Sequence, residues 1–133
     1  MSEVNDITVF IYESISEIGE EDWEKCGKNT IGVRSVDPFT AYRFLKILED
    51  SGSVGKSTGW LPRYLAAKVG DEVIGVTPMY IKSHSQGEYV FDHSWAHAYQ
   101  QAGGSYYPKI QIAAPFTPVT GSRFLVSEGY EKN

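Results

Sequence analysis

Two strand-like segments joined by a two-residue turn restrict the possible folds more than any other feature of the sequence. Segments 63–69 and 72–83 are rich in β-branched and aromatic residues, and the Gly70-Asp71 pair between them is typical of a tight hairpin. A tight hairpin joins antiparallel neighbours, so the chain is expected to contain an antiparallel sheet. Pro78 cannot donate to a strand ladder, which predicts an edge position or a bulge at that point of the second segment.

The Asp37-Pro38 pair predicts the start of a helix that ends at Gly52. Aspartate caps the free amides of a helix start, and proline is tolerated at the first helical position. Apolar residues repeat at helical spacing after the pair. The other predicted elements are a strand at 8–15, an acidic helix from Ser16 or Gly19 to Lys25, a short strand at 88–91, a helix from Asp92 to Ala102, a strand at 109–114 and a last short element at 124–126.

The bulk composition limits the class of protein. A chain of 133 residues fits one domain, 1–133, which is long enough to bury a core without disulfides or metals. The single Cys26 fits a reducing compartment, and no apolar run approaches the roughly 18 residues that span a bilayer. We therefore expect a cytoplasmic protein with no membrane partner. The net charge of −5 argues against a dedicated nucleic-acid groove.

Segment 82–121 carries most of the side chains suited to chemistry. It contains all three histidines and four of the nine tyrosines. An aromatic cluster is expected here, formed by Tyr89, Trp95, Tyr99, Tyr106 and Tyr107. Such a cluster is compatible with an aromatic core and also with the wall of a pocket in which a few polar groups orient a ligand. Asp92, Lys109 and Arg123 are charged residues near enough in sequence to contribute to such a pocket.

Three other patterns are too weak to predict a site. His93 and His97 stand four residues apart on a predicted helix, but no further ligand residues of a zinc motif accompany them, so no metal site is expected. Gly55-Lys56-Ser57 lacks the glycine that a phosphate loop needs five positions earlier. Side chains of the types found in hydrolytic triads occur at Ser83, Ser85, Ser94, His84, His93 and Asp92. Neighbours in sequence seldom form the geometry of a triad.

The string YIKSHSQGEYVFDHSWAHAYQQAGGSYYPKIQIAAPFTPVTG at 80–121 resembles the signature region of the bacterial FemAB-like proteins. Shorter strings upstream agree with it, namely DPF at 37–39, EDSGSVG at 49–55 and TGWLP at 58–62. The resemblance implies kinship with the GNAT acyltransferases, and hence an α+β fold with a mixed, mainly antiparallel sheet flanked by helices. Because family members typically continue beyond the end of this sequence, it also implies a GNAT-like N-terminal half-domain, incomplete relative to the full family fold.

The resemblance implies an activity as well. Related proteins transfer an acyl or aminoacyl group to an amine, so the chain is expected to be the N-terminal part of such an N-acyltransferase and to be inactive on its own. No bound cofactor is expected, and acyl-CoA or aminoacyl-tRNA is the expected donor in a full-length protein. Two alternatives remain open: a noncatalytic module that binds a small molecule or a sugar-peptide, and a structural dimerisation domain. An incomplete half leaves sheet edges unpaired, which predicts a homodimer.

The candidate site residues are chosen for the demands of acyl transfer to an amine, which needs a base for the amine proton and groups that orient the reactants. The candidates for the base are His84, Asp92 and His93. The candidates for a pocket that binds a small-molecule or peptide-like acceptor are Ser85, Gln86, Tyr89, Trp95, Tyr99, Tyr106, Tyr107 and Lys109. Of these, Tyr106, Tyr107 and Lys109 are expected to orient the acceptor.

Overall fold

The computed structural model describes residues 6–27, 37–88, 92–119, 121–127 and 129–130. Its elements in chain order are β1 (Ile7–Tyr12), α1 (Ile15–Ile18), α2 (Glu20–Gly27), a 3₁₀ turn (Pro38–Thr40), α3 (Tyr42–Asp50), β2 (Trp60–Pro62), β3 (Tyr64–Val69), β4 (Glu72–Thr77), β5 (Met79–Lys82), α4 (His93–Gln101), β6 (Lys109–Ile112) and β7 (Leu125–Val126). In these residues the strands form a first sheet, ordered β1-β3-β4-β7, and a second sheet, ordered β2-β5-β6. The pairings within both sheets are antiparallel. The predicted α+β class with antiparallel strands is confirmed, with two sheets in place of one.

The hairpin predicted from the Gly70-Asp71 pair is present between β3 and β4. Gly70 has a φ of 59°, a left-handed conformation that glycine adopts without steric cost. The second predicted segment is divided at Pro78, because β4 ends just before it in the first sheet and β5 starts just after it in the second. Proline has no N–H for the ladder, so the chain leaves one sheet and enters the other at this residue.

The N-terminal helices differ in detail from the prediction. Ser14 and Glu17 form a capping box at the start of α1, which ends β1 earlier than expected. Glu49 of α3 accepts hydrogen bonds from Ser14 Oγ and from the Ile15 amide, both at 2.8 Å, so α3 is tied to the start of α1. A break at Gly19 divides the predicted acidic helix into α1 and α2.

The Asp37-Pro38 pair caps a 3₁₀ turn in place of the predicted helix start. Asp37 Oδ1 accepts a hydrogen bond of 2.9 Å from the Phe39 amide, as a cap does. Ala41 is extended, with a φ of −67° and a ψ of 143°, and α3 follows it. The predicted helix is therefore present with a later start.

The predicted helix after Asp92 is confirmed as α4. The Asp92 carboxylate precedes its first turn but makes no capping hydrogen bond. Ala96 is the buried residue of this helix, so α4 lies on the surface. The strand predicted at 88–91 lies mostly outside the described residues, and the strand predicted at 109–114 is present as the shorter β6.

The core joins the two sheets through aromatic side chains. Trp23 of α2 is fully buried, meets Tyr64 of β3 edge to face with 5.8 Å between ring centroids, and donates a hydrogen bond of 2.8 Å to the Thr40 carbonyl. The Tyr64 ring then meets Tyr80 of β5 at 5.8 Å, and Tyr80 meets Trp60 of β2 at 5.4 Å. One continuous core therefore fixes the second sheet against the first.

One face of the first sheet is open in the part of the chain that the structure describes. A groove of about 220 Å³ on this sheet is lined by Val9, Leu65, Ala67, Gly75, Val76, Thr77, Phe124, Leu125 and Val126. β1 is one of the two edge strands of the sheet, and its sequence ITVFIY contains no charged residue and no proline. Edge strands usually carry such residues as protection against pairing with another chain. This edge is available to a second copy, and the homodimer stays a prediction.

Sedimentation equilibrium at high protein concentration is expected to give about twice the mass of one chain, because β1 of two copies can continue one sheet. Ile11→Lys should shift the equilibrium towards the monomer, since the side chain lies on β1 and is 62% exposed. Ile47→Lys is the matched control, because Ile47 is also 62% exposed but lies on α3. A monomer at every concentration would contradict the prediction.

Candidate functional site

Seven side chains from segment 82–109 meet beside the second sheet. They come from the end of β5, the turn after it, the residue before α4 and the chain that leads from α4 into β6. The members of this polar cluster are Lys82, Ser85, Glu88, Asp92, Tyr106, Tyr107 and Lys109. The pairing of β5 with β6 positions it, because it places Lys82 directly opposite Lys109.

Glu88 lies between the two lysines of the polar cluster. Like charges opposite each other on neighbouring strands repel, and these lysine side chains are only 0% and 15% exposed. Glu88 Oε1 accepts a hydrogen bond of 2.8 Å from Lys109 Nζ, while its Oε2 lies 3.7 Å from Lys82 Nζ. The Glu88 side chain is itself only 6% exposed, so water screens these charges little. The negative charge of Glu88 therefore offsets the repulsion between the two lysines.

Lys82 also fixes the turn that follows β5. Its Nζ lies 3.8 Å from the centroid of the Trp60 ring and donates a hydrogen bond of 2.9 Å to the Gln86 carbonyl. Trp60 Nε1 donates to the same carbonyl at 3.2 Å. Burial lowers the pKa of Lys82, and the nearby Glu88 carboxylate partly offsets this effect. Lys82 is fully buried, so it supports the turn rather than facing a ligand.

Asp92 accepts hydrogen bonds from three side chains. Its Oδ1 accepts from Ser85 Oγ at 2.5 Å, and its Oδ2 accepts from Lys109 Nζ at 2.5 Å and from the Tyr106 hydroxyl. Burial alone would raise the pKa of the Asp92 carboxyl, but the hydrogen bonds from Lys109, Ser85 and Tyr106 outweigh burial and hold the pKa well below its usual range. Asp92 is therefore ionised at neutral pH.

The pKa values of two hydrogen-bond partners of Asp92, Lys109 and Tyr106, are raised. Burial acts to lower the pKa of Lys109, but its hydrogen bonds to Asp92 and Glu88 outweigh burial and raise the pKa. The hydrogen bond to the Asp92 carboxylate likewise raises the pKa of Tyr106. At neutral pH Lys109 is therefore a cation and Tyr106 keeps its proton.

The protons of the polar cluster can be assigned, since a carboxylate only accepts hydrogen bonds and an ammonium group only donates them. The three N–H groups of Lys109 point to Glu88, Asp92 and Ser85, the last at 3.2 Å. The single hydroxyl proton of Ser85 goes to Asp92. The hydrogen bond between Ser85 and Tyr107 must therefore be donated by Tyr107.

The solvent side of the polar cluster keeps acceptors but no free side-chain donor among its described members. Tyr106 and Tyr107 are half-buried, each hydroxyl already donates its hydrogen bond inside the polar cluster, and each hydroxyl oxygen keeps a lone pair. Asp92 is 22% exposed and keeps about one further acceptor position, on Oδ1, since it already accepts three hydrogen bonds. A ligand bound here must donate hydrogen bonds, as an amine or ammonium group does.

The structure brings together five of the residues that the sequence analysis predicted for the site. These are Ser85, Asp92, Tyr106, Tyr107 and Lys109. Gln86 contributes its backbone carbonyl to the support of Lys82, and the residue itself is exposed. Tyr89 lies outside the described residues.

The remaining predicted residues lie around the polar cluster. The His84 ring lies against Gly59, just before β2, and its Nδ1 accepts a hydrogen bond of 3.1 Å from the Gln86 amide. The described contacts of His84 are therefore with these two turns and not with the polar cluster. His93 is exposed at the start of α4. Trp95 and Tyr99 are exposed on the same helix.

Lys82 and Glu88 belong to the polar cluster, although no sequence motif marked them. Lys82 is the last residue of the otherwise apolar strand MYIK, which makes it look like an ordinary polar strand end. Its position opposite Lys109 appears only once β5 and β6 are paired. The signal that could have found them is the presence of a lysine at one end of each of two strands, Lys82 and Lys109. Glu88 is the first carboxylate after Lys82 in the sequence.

The polar cluster predicts how stability depends on pH. The pKa of Asp92 is lower in the folded state than in the unfolded state. The contribution of Asp92 to the free energy of unfolding is therefore complete above the unfolded pKa of about 3.9, and it is lost as the pH falls towards the folded pKa. Urea unfolding at a series of pH values should show this loss in the difference between the wild type and Asp92→Asn. That difference should be constant from about pH 5 to pH 8 and shrink below about pH 4. An unchanged difference in acid would contradict the assignment.

Other parts of the described structure are weaker candidates. An open cavity of about 670 Å³ is lined by Glu20, Glu21, Glu24, Lys25, Ala41 and Arg43, with none of the predicted site residues in its wall. In the described ranges, no group of three or more histidine, cysteine, aspartate or glutamate side chains could hold a metal ion. The helices described here are all too short or too polar to cross a bilayer.

The fold and the site define a small α+β protein with antiparallel sheets and a buried ion-pair cluster at the end of two paired strands. The chain belongs to the FemAB-like family, whose model, described as peptidoglycan biosynthesis/recognition, matches residues 14–133. The matched region includes every member of the polar cluster, and the resemblance found in the sequence is confirmed at the level of the family. Neither the curated proteins nor the solved structures contain a match to the chain.

Proposed function

We propose that the polar cluster recognises the amine of an acceptor and that the chain takes part in acyl or aminoacyl transfer to that amine. The observation that carries the proposal is the acceptor-only hydrogen-bonding capacity left on Asp92, Tyr106 and Tyr107. An amine supplies the N–H donors that these oxygens lack. Membership of a family described by peptidoglycan biosynthesis or recognition supports a sugar-peptide as the molecule that carries the amine.

The acyl donor belongs elsewhere on the protein. A pyrophosphate group or a developing oxyanion needs hydrogen-bond donors, and all three N–H groups of Lys109 are already used inside the polar cluster. The family supports a GNAT-like fold, for which acyl-CoA or aminoacyl-tRNA is the expected donor. We therefore expect this chain alone to bind the acceptor without turnover.

Asp92 fits an orienting role better than the role of a base. A base that takes the amine proton works best with a pKa near the working pH, whereas the pKa of Asp92 is held well below its usual range. Its oxygens also already accept three hydrogen bonds. His93, exposed and next to Asp92 in sequence, stays the prediction for the base. Lys109 and the two tyrosines stay the predicted orienting groups.

A noncatalytic recognition module is the second candidate function. The observation that favours it is that Asp92 already accepts three hydrogen bonds inside the polar cluster, which leaves it able to accept one from an amine but poorly suited to take a proton from it. Both functions share the amine-binding step, and they differ only in whether a group is then transferred to the bound amine.

Calorimetric titration with two muramyl peptides tests the shared step, one with a free side-chain amine and one with that amine acetylated. The free amine is expected to bind at least about tenfold more tightly, because acetylation removes its charge and two of its donors. Tyr107→Phe should reduce this preference, since it removes an acceptor oxygen and leaves the three hydrogen bonds to Asp92 in place. Tyr42→Phe is the control, because Tyr42 is also half-buried but lies on α3. Equal binding of the two peptides would overturn the proposal.

Mass spectrometry of the acceptor then separates the two functions. Acceptor incubated with the chain and acetyl-CoA, or with aminoacyl-tRNA, is examined for the added group. A product that Lys109→Arg removes would support transfer and contradict the expectation that the chain alone is inactive. Amine-dependent binding with no product from a full-length relative would support the recognition module.

A further inference from the structure

Helix α4 presents two aromatic side chains that the polar cluster does not use. Trp95 is 74% exposed and Tyr99 is 54% exposed. Residues four apart lie on the same side of a helix, about 6 Å apart along its axis. Large aromatic surfaces that remain exposed together often mark a place where a ligand binds.

The Tyr99 ring is held in place although it is half exposed. It meets Tyr106 edge to face, with 6.2 Å between ring centroids. It also covers Gly104, where an added Cβ would come within 2.3 Å of a Tyr99 ring carbon. Gly103 has a φ of 89°, which itself favours glycine, whereas the approach of the Tyr99 ring explains the absence of a side chain at Gly104. A ring fixed before binding loses little conformational entropy on binding.

The helix that carries these rings contains no aspartate, glutamate, lysine or arginine. Its sequence HSWAHAYQQ surrounds the aromatic residues with hydroxyl, imidazole and amide groups, which are exposed. Such groups exchange hydrogen bonds with the hydroxyls of a neutral sugar, while an ionic ligand or a charged peptide would find no complementary charge on α4. The negative face of an aromatic ring attracts the positive C–H edge of another group, and one face of a pyranose ring is rich in such C–H groups.

We propose that Trp95 and Tyr99 form a saccharide subsite that stacks one neutral pyranose ring. The inference rests on the proposed function, because it assigns the sugar part of the acceptor to α4 and the amine to the polar cluster. Ring contacts connect the two places: Tyr99 meets Tyr106 at 6.2 Å, and Tyr106 meets Tyr107 at 5.0 Å. A single ligand that carries both a sugar and an amine therefore spans a continuous surface.

Quenching of tryptophan fluorescence by acrylamide tests the subsite with N,N′-diacetylchitobiose, a neutral disaccharide without an amine. Trp23 and Trp60 are 0% and 1% exposed, so quenching reports Trp95. The disaccharide is expected to protect Trp95 in a saturable manner. Gly104→Ala should displace the Tyr99 ring and weaken this binding at least about fivefold. Gly27→Ala is the control, because Gly27 lies on α2 outside the left-handed region and a Cβ there would make only ordinary contacts at 3.9 and 4.0 Å, so the affinity should be unchanged.

Lack of protection at saturating disaccharide, or equal affinity of the wild type and Gly104→Ala, would overturn the subsite. A lysine-containing peptide without a sugar tests the amine site separately by calorimetry. If that peptide binds and the disaccharide does not, the saccharide subsite is wrong and the amine proposal stands. If the disaccharide binds and the free amine gives no gain, the subsite stands and the amine proposal is wrong.

Discussion

Replacing Lys109 by methionine is expected to lower the free energy of unfolding by about 3–5 kcal/mol. The side chain is 15% exposed and donates hydrogen bonds to Glu88, Asp92 and Ser85. Methionine has a similar length but no charge. The variant therefore leaves the negative charges of Glu88 and Asp92 largely buried without the positive charge of Lys109 beside them. Urea unfolding at neutral pH measures the change.

Lys56→Met is the control for Lys109→Met, because Lys56 is exposed in the turn before β2 and its loss should change the free energy of unfolding by less than about 0.5 kcal/mol. Adding Asp92→Asn to Lys109→Met should restore part of the loss, since it removes one of the stranded charges. Equal effects of the two lysine substitutions, or no recovery in the double variant, would show that the polar cluster is not a coupled unit. If Lys109→Met does not fold, Lys109→Arg, which keeps the charge, should fold.

Trp60→Ala is expected to lower the free energy of unfolding by about 3–5 kcal/mol. Trp60 is 1% exposed and its ring meets Tyr80 and Phe116 at 5.4 and 5.1 Å between centroids. The substitution also removes the aromatic face beneath Lys82 and the hydrogen bond to the Gln86 carbonyl. It should therefore loosen the turn that carries part of the polar cluster as well as open a cavity.

Trp95→Ala is the matched control for Trp60→Ala, because it removes the same side chain from a position that is 74% exposed. Its effect on the free energy of unfolding should stay below about 0.5 kcal/mol. The loss in the free energy of unfolding for Trp60→Phe should lie between the losses for Trp95→Ala and Trp60→Ala, since phenylalanine keeps a ring but not the indole N–H. Similar losses for both alanine variants would contradict the burial that separates these tryptophans.

Local signals in the sequence predicted local structure well. The Gly70-Asp71 turn determines its hairpin because the two strands are neighbours in the chain, and no distant contact is needed to form it. The helix after Asp92 was predicted for a similar reason. Pro78 was expected to disturb one strand, but it separates two sheets instead. The missing N–H of a proline predicts that the hydrogen-bond ladder of a strand ends there, but it does not predict where the chain continues.

The candidate site was predicted only in part because its geometry depends on distant pairing. Asp92, Tyr106, Tyr107 and Lys109 were chosen by residue type within one segment. Lys82 joins them only through the register that places it opposite Lys109. Charge pairing across strands has no signature in the spacing of residues along the chain.

The predicted aromatic cluster is neither wholly core nor wholly pocket wall. The hydroxyls of Tyr106 and Tyr107 donate hydrogen bonds inside the polar cluster, whereas Trp95 and Tyr99 are exposed on α4. Composition could not separate these roles, since the same ring serves either purpose. The deciding facts are the side of the helix on which a ring lies and the partner of each hydroxyl.

The most direct test of the amine-binding site is an amide ¹H–¹⁵N NMR titration of the chain with the muramyl peptide that carries a free side-chain amine. We expect saturable shifts in residues 82–88 and 92–109, which hold the described polar cluster and α4, and much smaller shifts with the acetylated peptide. Shifts confined to the open face of the first sheet, in residues 65–67, 75–77 and 124–126, would contradict it, as would the same shifts with both peptides.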